Sequence, residues 1–342
     1  MEEVTPIGSR KNDHLHINLQ QDVSSGLTTG LEEYHFVHCA LPEINLSEID
    51  LGVNLFGKHL SAPLLISSMT GGTAEAGQIN QILASAAEQA QIAMGVGSQR
   101  IAIDHPELAH TFQIRRQAPT ALIFANLGAI QLNYGYGLTE CQRAVDMVQA
   151  DALVLHLNAL QEALQPEGQS NFAGLLNKIE TICHALPVPV IAKEVGWGFS
   201  KQDVSLLAQA GITAIDVAGS GGTSWSQVEM HRAETEEQRK LAAAFHGWGT
   251  PTSDAILNVI LTAPGVKVIA SGGLRSGMDI AKCIALGASI GGLAGPFLKA
   301  AARSLEETLA LIDLLKQEIR VCMFATGSLT LDQLRHEKLV GK

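Results

Sequence analysis

Aromatic residues are scarce in this chain of 342 residues, at 4%, and charged residues amount to only 17%. Against 46% hydrophobic residues that leaves ample material for a sizeable core, so disorder over most of the length is excluded. Basic residues are the minority charge: 23 Lys and Arg stand against 34 Asp and Glu, a formal net charge of −11. A general nucleic-acid or anionic-membrane binder needs a net basic surface and is excluded, although a local basic pocket for one small anion remains open. The five cysteines, Cys39, Cys141, Cys183, Cys283 and Cys322, are scattered without a CxxC pair, which argues against a zinc site or a disulfide framework and fits a reducing cytoplasm. The N-terminal MEEVTPIGSRKNDHLHINLQ lacks the apolar core of a signal peptide, and the uncharged run 283–298 is too short and Gly-rich to span a bilayer. The expectation is a soluble, unprocessed protein.

What the chain does have is glycine, 33 residues of it, much of it directly after short runs of Val, Ile, Leu and Ala. Such runs read as buried parallel strands ending in turns. Eight are countable: 63–67, 92–96, 121–125, 152–157, 189–194, 214–218, 267–270 and 289–293. Segments of helical periodicity separate most of them, such as 74–90 and 278–286. Eight β-then-α units predict an α/β fold, a (β/α)8 TIM barrel with an N-terminal extension. A doubly wound open sheet is the alternative, and the regular count to eight favours closure.

Three parts fall outside the repeat. Residues 1–60 read as a polar arm followed by 31–39 and 49–60, which are expected to form a hairpin capping the barrel bottom. Residues 61–342 would make the barrel, interrupted after strand six by an insertion at 224–248 whose HRAETEEQRK suits a mobile lid or a solvated helix. The segment 304–320 is expected within the helices that close the barrel.

In such a barrel the C-terminal strand ends carry the chemistry. Here they are polar: SSMTGG at 67–72, GSQR at 97–100, Asn126, His156 and Asn158 followed by Gln161 and Glu162, Lys193 and Glu194, and GSGGTS at 219–224. Gly272-Gly273 with Arg275 after strand seven, in register with Gly295 after strand eight, read as a phosphate cradle of backbone N–H groups. Lys193 in the barrel mouth needs an electron-rich partner, either a reduced flavin or a carboxylate such as Asp216. Glu162 offers an oxygen to Mg2+, or is merely solvated, and sequence alone favours reading His156 as a satisfied buried imidazole.

Over nearly its whole length the sequence resembles the FMN-dependent type 2 isopentenyl-diphosphate isomerases. The resemblance rests on RKNDH at 10–14, SSMTGG, GVGSQR at 95–100, ANLGA at 125–129, HLNALQE at 156–162, AKEVGWG at 192–198, AGSGGTSW at 218–225, WGTPT at 248–252 and SGGLRSG at 271–277. It implies FMN across the barrel mouth on Ser68, Met69, Thr70, Ser98, Asn126, Lys193 and Thr223, with its phosphate on Gly272, Gly273, Ala294 and Gly295. It likewise implies a substrate diphosphate on Arg10, Lys11, His14, Ser98, Gln99, Arg100, His156, Asn158 and Gln161, and Mg2+ on Glu162. The catalytic set would be Gln161, Lys193 and His156, in a redox-neutral double-bond shift that converts isopentenyl to dimethylallyl diphosphate by adding one proton and removing another. Reduced FMN rather than the weakly acidic Gln161 amide is the expected main proton donor, with NAD(P)H needed only to reduce the flavin. The resemblance further implies a homo-oligomer, a tetramer or octamer.

Two enzyme rivals share the phosphate segment. A flavin-dependent 2-hydroxy-acid oxidase needs a His base and an Arg clamp near strands six and seven, and AGSGGTSW supplies neither. A nucleotide dehydrogenase of the inosine-monophosphate type needs a nucleophilic Cys in a barrel loop; the corresponding loop 219–226 has none, and the nearest cysteines are expected in helices. A flavin-binding barrel without catalysis is the non-enzyme alternative.

Overall fold

The computed structural model describes residues 13–14, 16–69, 71–335 and 338–341. Its centre is a closed, all-parallel barrel of eight strands: β4 (Leu64–Ile66), β5 (Ala93–Gly95), β6 (Ile123–Gly128), β7 (Ala152–His156), β8 (Val190–Lys193), β9 (Ala214–Asp216), β10 (Lys267–Ser271) and β11 (Ile290–Leu293). All eight lie on the strands expected from sequence, and β11 pairs back onto β4 to close the ring. The intervening helices include Ala74–Ala90, capped by the Thr73 side chain, and the terminal Leu305–Phe324, capped by Ser304.

Strand alternation explains why the rim is chemically useful. Leu65, Ala93, Phe124, Ala152, Val154, Ile191, Ala214, Ile269 and Ile290 form one buried cluster inside the barrel, while their chain neighbours pack outward against the helices. Two residues further along each strand the same inward direction falls on Ser67, Gly95, Asn126, His156, Lys193, Asp216, Ser271 and Gly292. An apolar layer therefore lies beneath a polar one. Pairing register sets Lys193 laterally between His156 and Asp216.

The other end of the barrel is stoppered by a hairpin, Val53–Leu55 (β2) and Lys58–Leu60 (β3). Its turn residues Phe56 and Gly57 both have positive φ (48° and 79°), the conformation a two-residue turn requires. Leu55 and Leu60 join the interior cluster, and the Phe56 ring meets Phe124 edge-on at 6.0 Å. The segment 31–39 does not complete this hairpin. It supplies Tyr34–Phe36 (β1), which pairs with Leu339–Gly341 (β12) from the far end of the chain.

The insertion also divides. Helix Trp225–Arg232 is packed inward, burying Ser226, Gln227, Val228 and Glu229, whereas helix Glu236–Ala243 buries only Ala242 and faces solvent. Solvation thus describes its second half alone. Among the described residues no helix is long and apolar enough to cross a membrane.

Candidate active site

A cavity of about 1090 Å³ opens at the C-terminal rim. Ser68, Met69, Ser98, Asn126, Lys193, Thr223, Gly272, Gly273, Ala294 and Gly295 all line it, as do His14, Arg100, His156, Asn158, Gln161 and Glu162. Arg10, Lys11 and Thr70 lie outside the described residues. Gln99, expected among the substrate ligands, is instead fully buried and does not line the cavity. Its Nε2 donates to Ala144 O at 2.8 Å and its Oε1 accepts from Asn126 N at 2.9 Å. Gln99 thus fastens β6 to a helix, because the chain turns there and sends Ser98 and Arg100 to the cavity but the side chain between them into the protein.

The fourth-strand segment builds the cavity floor. Asn126 Nδ2 is committed to Val96 O, so its Oδ1 accepts from His156 Nδ1 at 2.8 Å and fixes the proton of a neutral imidazole on that nitrogen. After β7, helix Ala159–Leu164 turns Gln161 and Glu162 inward. Asn158 Nδ2 donates to Gln161 Oε1 at 3.2 Å and to Glu162 Oε1 at 3.0 Å. Glu162 Oε2 accepts from Gln165 Nε2 and from Gln169 N at 2.7 and 2.6 Å. Lys193 Nζ lies 3.4 Å from Asp216 Oδ2 and 2.9 Å from Glu194 O, so it has a carboxylate partner and also faces the cavity. Burial pushes the Glu194 carboxyl up to about 7, against the pull of three backbone N–H groups from Trp197, Gly196 and Val195.

Sequence reasoning missed Glu229. From the insertion it reaches the floor, accepting from Gln161 Nε2 at 3.0 Å while facing His14 Nε2 at 3.2 Å. Burial works to raise this carboxyl, but His14, Gln161 and Arg232 outweigh it and hold it below the usual carboxylate range. The His14 ring also meets Trp225 edge-on at 5.0 Å. The available signal was the spacing of Glu229 and Arg232, three residues apart on one helix face directly after the strand-six loop.

The described residues fit both implied groups. At the cradle Gly272 and Gly273 have φ of 102° and 75°, and a Cβ on cavity-lining Gly295 would meet nothing within 4 Å, so backbone N–H groups there are open to an anion. Ser67 Oγ, in the cavity wall, is buried without a hydrogen-bond partner, as is Asn158 Oδ1 on the floor. Among the described residues no group of three or more His, Cys, Asp or Glu forms a metal cage. Glu162 with the orphaned Asn158 oxygen instead matches the way Mg2+ is held, by few protein oxygens completed by phosphate and water. Cys141, Cys183, Cys283 and Cys322 lie in helices, and burial pushes Cys141 up to about 12 and Cys183 and Cys322 up to about 11, away from nucleophilic use.

A protein from Nostoc sp. named isopentenyl-diphosphate delta-isomerase is 56% identical over 96% of this chain and 94% of its own length. The chain belongs to the isopentenyl-diphosphate delta-isomerase family. Relatives of the same name from Rickettsia bellii and Synechocystis sp. are 51% and 50% identical, over 96% and 95% of the chain and 96% and 93% of their own lengths. Residues 137–341 also match the FMN-dependent dehydrogenase family model. The chain shares its fold with solved structures of an (S)-mandelate dehydrogenase and a mandelate oxidase. Their TM-scores are both 0.68, at 17% and 18% identity, covering 97% and 99% of this chain and 99% of each of theirs. At that identity the likeness concerns the fold alone.

Proposed function

We propose that this protein interconverts isopentenyl and dimethylallyl diphosphate in isoprenoid precursor biosynthesis, using reduced FMN and Mg2+. The observation that carries the reading is the convergence of His156, Asn158, Gln161 and Glu162 on one cavity with Lys193 and the Gly272-Gly273 cradle. Membership of the isomerase family supports the substrate class.

Ser68, Met69, Ser98, Asn126, Lys193 and Thr223 would hold the flavin, with its phosphate on Gly272, Gly273, Ala294 and Gly295. When bound, reduced FMN supplies an electron-rich ring and a proton-bearing nitrogen. Lys193 offers a cation at the barrel axis, steadied by Asp216. Arg100, braced by Gln169 at 3.2 Å, and His156, braced by Asn126, present charge and hydrogen bonds to the diphosphate. Glu162 would hold Mg2+, which neutralises the remaining charge. Gln161 is held at both ends of its amide by Asn158 and Glu229, so it positions the reacting carbons rather than acting as a strong acid or base. His14 lines the cavity, and by resemblance Arg10 and Lys11 would bind the diphosphate. NAD(P)H as flavin reductant, a homo-oligomeric state and a cytoplasmic location belong to the same proposal.

The test is anaerobic proton NMR of the protein with isopentenyl diphosphate, Mg2+ and FMN, oxidised or pre-reduced by dithionite. Dimethylallyl diphosphate is expected only with reduced flavin. Absence of product despite a bound flavin spectrum would refute the isomerase reading in favour of an oxidase, and absence of flavin binding would refute the site.

A further inference from the structure

Arg232, the last residue of the inward-packed insertion helix, joins three segments distant in sequence. Its Nη1 donates to Glu229 Oε2 at 2.6 Å, its Nη2 to Glu167 Oε1 at 2.8 Å, and its Nε lies 3.9 Å from Asp13 Oδ2 on the arm. Glu229 is nearly inaccessible, and its second oxygen serves both Gln161 and His14. The terminal torsion of a Glu side chain is broad and two-fold, so nothing within Glu229 itself selects the orientation in which one oxygen faces two partners. A planar guanidinium gripping the opposite oxygen does select it, and its grip on Glu167 ties the helix to the loop that follows Gln161.

We infer that Arg232 is a positioning residue: by orienting Glu229 it aims the Gln161 carboxamide into the cavity and, through Glu229 and His14, docks the N-terminal arm. Its kinetic half rests on the proposed isomerase function, and its docking half does not. Loss of Arg232 leaves Glu229 buried without its cation and free to turn, so the amide and the arm lose a common support.

The experiment compares Arg232→Gln and Arg232→Lys in the full-length, flavin-loaded protein. Arg232→Gln is expected to lower kcat by about tenfold to a hundredfold and to raise KM for isopentenyl diphosphate, while the FMN dissociation constant stays unchanged. Arg232→Lys recovers only part, because an ammonium cannot fork between Glu229 and Glu167. The double variant Arg232→Gln/Glu229→Gln is expected to match Glu229→Gln alone in kcat, since Arg232 works through that carboxylate. Independently of activity, hydrogen exchange at residues 16–20 of the arm should quicken by about tenfold in Arg232→Gln while barrel amides keep their protection. If Arg232→Gln does not fold, the same exchange and kinetic comparison on Arg232→Lys decides the matter. Unchanged kinetics, multiplicative losses in the double variant, or unchanged arm exchange would each overturn the inference. A loosened arm in a protein without isomerase activity would overturn the proposed function and uphold the docking role.

Discussion

Lys193→Met separates the two roles of the cation at the barrel mouth. The Lys193 and Asp216 side chains are 11% and 4% exposed, with Nζ 3.4 Å from Oδ2. Methionine keeps the unbranched shape but removes the charge, leaving Asp216 with the Ser271 hydroxyl as its remaining side-chain donor. Breaking a buried pair by removing one partner costs about 3–5 kcal/mol, because the other charge stays buried. For 342 residues the entropy of unfolding is about 0.7 kcal/mol/K, so the melting temperature should fall by about 4–7 °C. Calorimetry of the flavin-free protein reads this directly. Adding Asp216→Asn removes the orphaned charge and should restore most of the loss, whereas isomerase activity should stay lost in both variants. A Lys193→Met protein melting within about 1 °C of the parent would refute the buried-pair argument. Destabilisation that Asp216→Asn does not rescue would assign the loss to packing instead.

Gly295→Ala should leave the melting temperature of the flavin-free protein unchanged, since the added Cβ meets no atom within 4 Å, but should weaken FMN binding in a fluorescence titration. Equal FMN affinity would remove Gly295 from the phosphate cradle. Glu162→Ala is expected to weaken Mg2+-dependent substrate binding, read as KM against Mg2+ concentration, and an unchanged Mg2+ dependence would sink that assignment. The Glu194 carboxyl, raised to about 7 in the fold, contributes stability that is fully present below its unfolded value and is lost as pH rises through 7. Melting temperatures of Glu194→Gln should therefore fall less than those of the parent between about pH 4.5 and 7, and parallel curves would contradict the raised value.

The barrel was legible because each strand is a short apolar run closed by glycine or a polar end, a pattern set by burial on both faces. Its polar rim was equally legible, since residues two places beyond an inward apolar residue point the same way. His156, Lys193 and Asp216 become neighbours through that rule alone, once β7, β8 and β9 pair in register. Gln99 was misplaced because neighbours in sequence at a turn do not share a direction. Glu229 was missed because its partner Gln161 lies 68 residues away, and its spacing from Arg232 marks a helix-face pair without saying that the pair faces inward.

Local pattern by itself thus determined the barrel strands, their count and the chemical character of the barrel mouth, because hydrophobic period and glycine placement act within a few residues. Tertiary structure alone decided which end of the chain pairs with which, β1 with β12, and which charged side chains of the insertion turn inward. Those choices depend on partners brought together only when the ring closes: Glu229 is tolerable in the interior solely because Arg232, His14 and Gln161 surround it there.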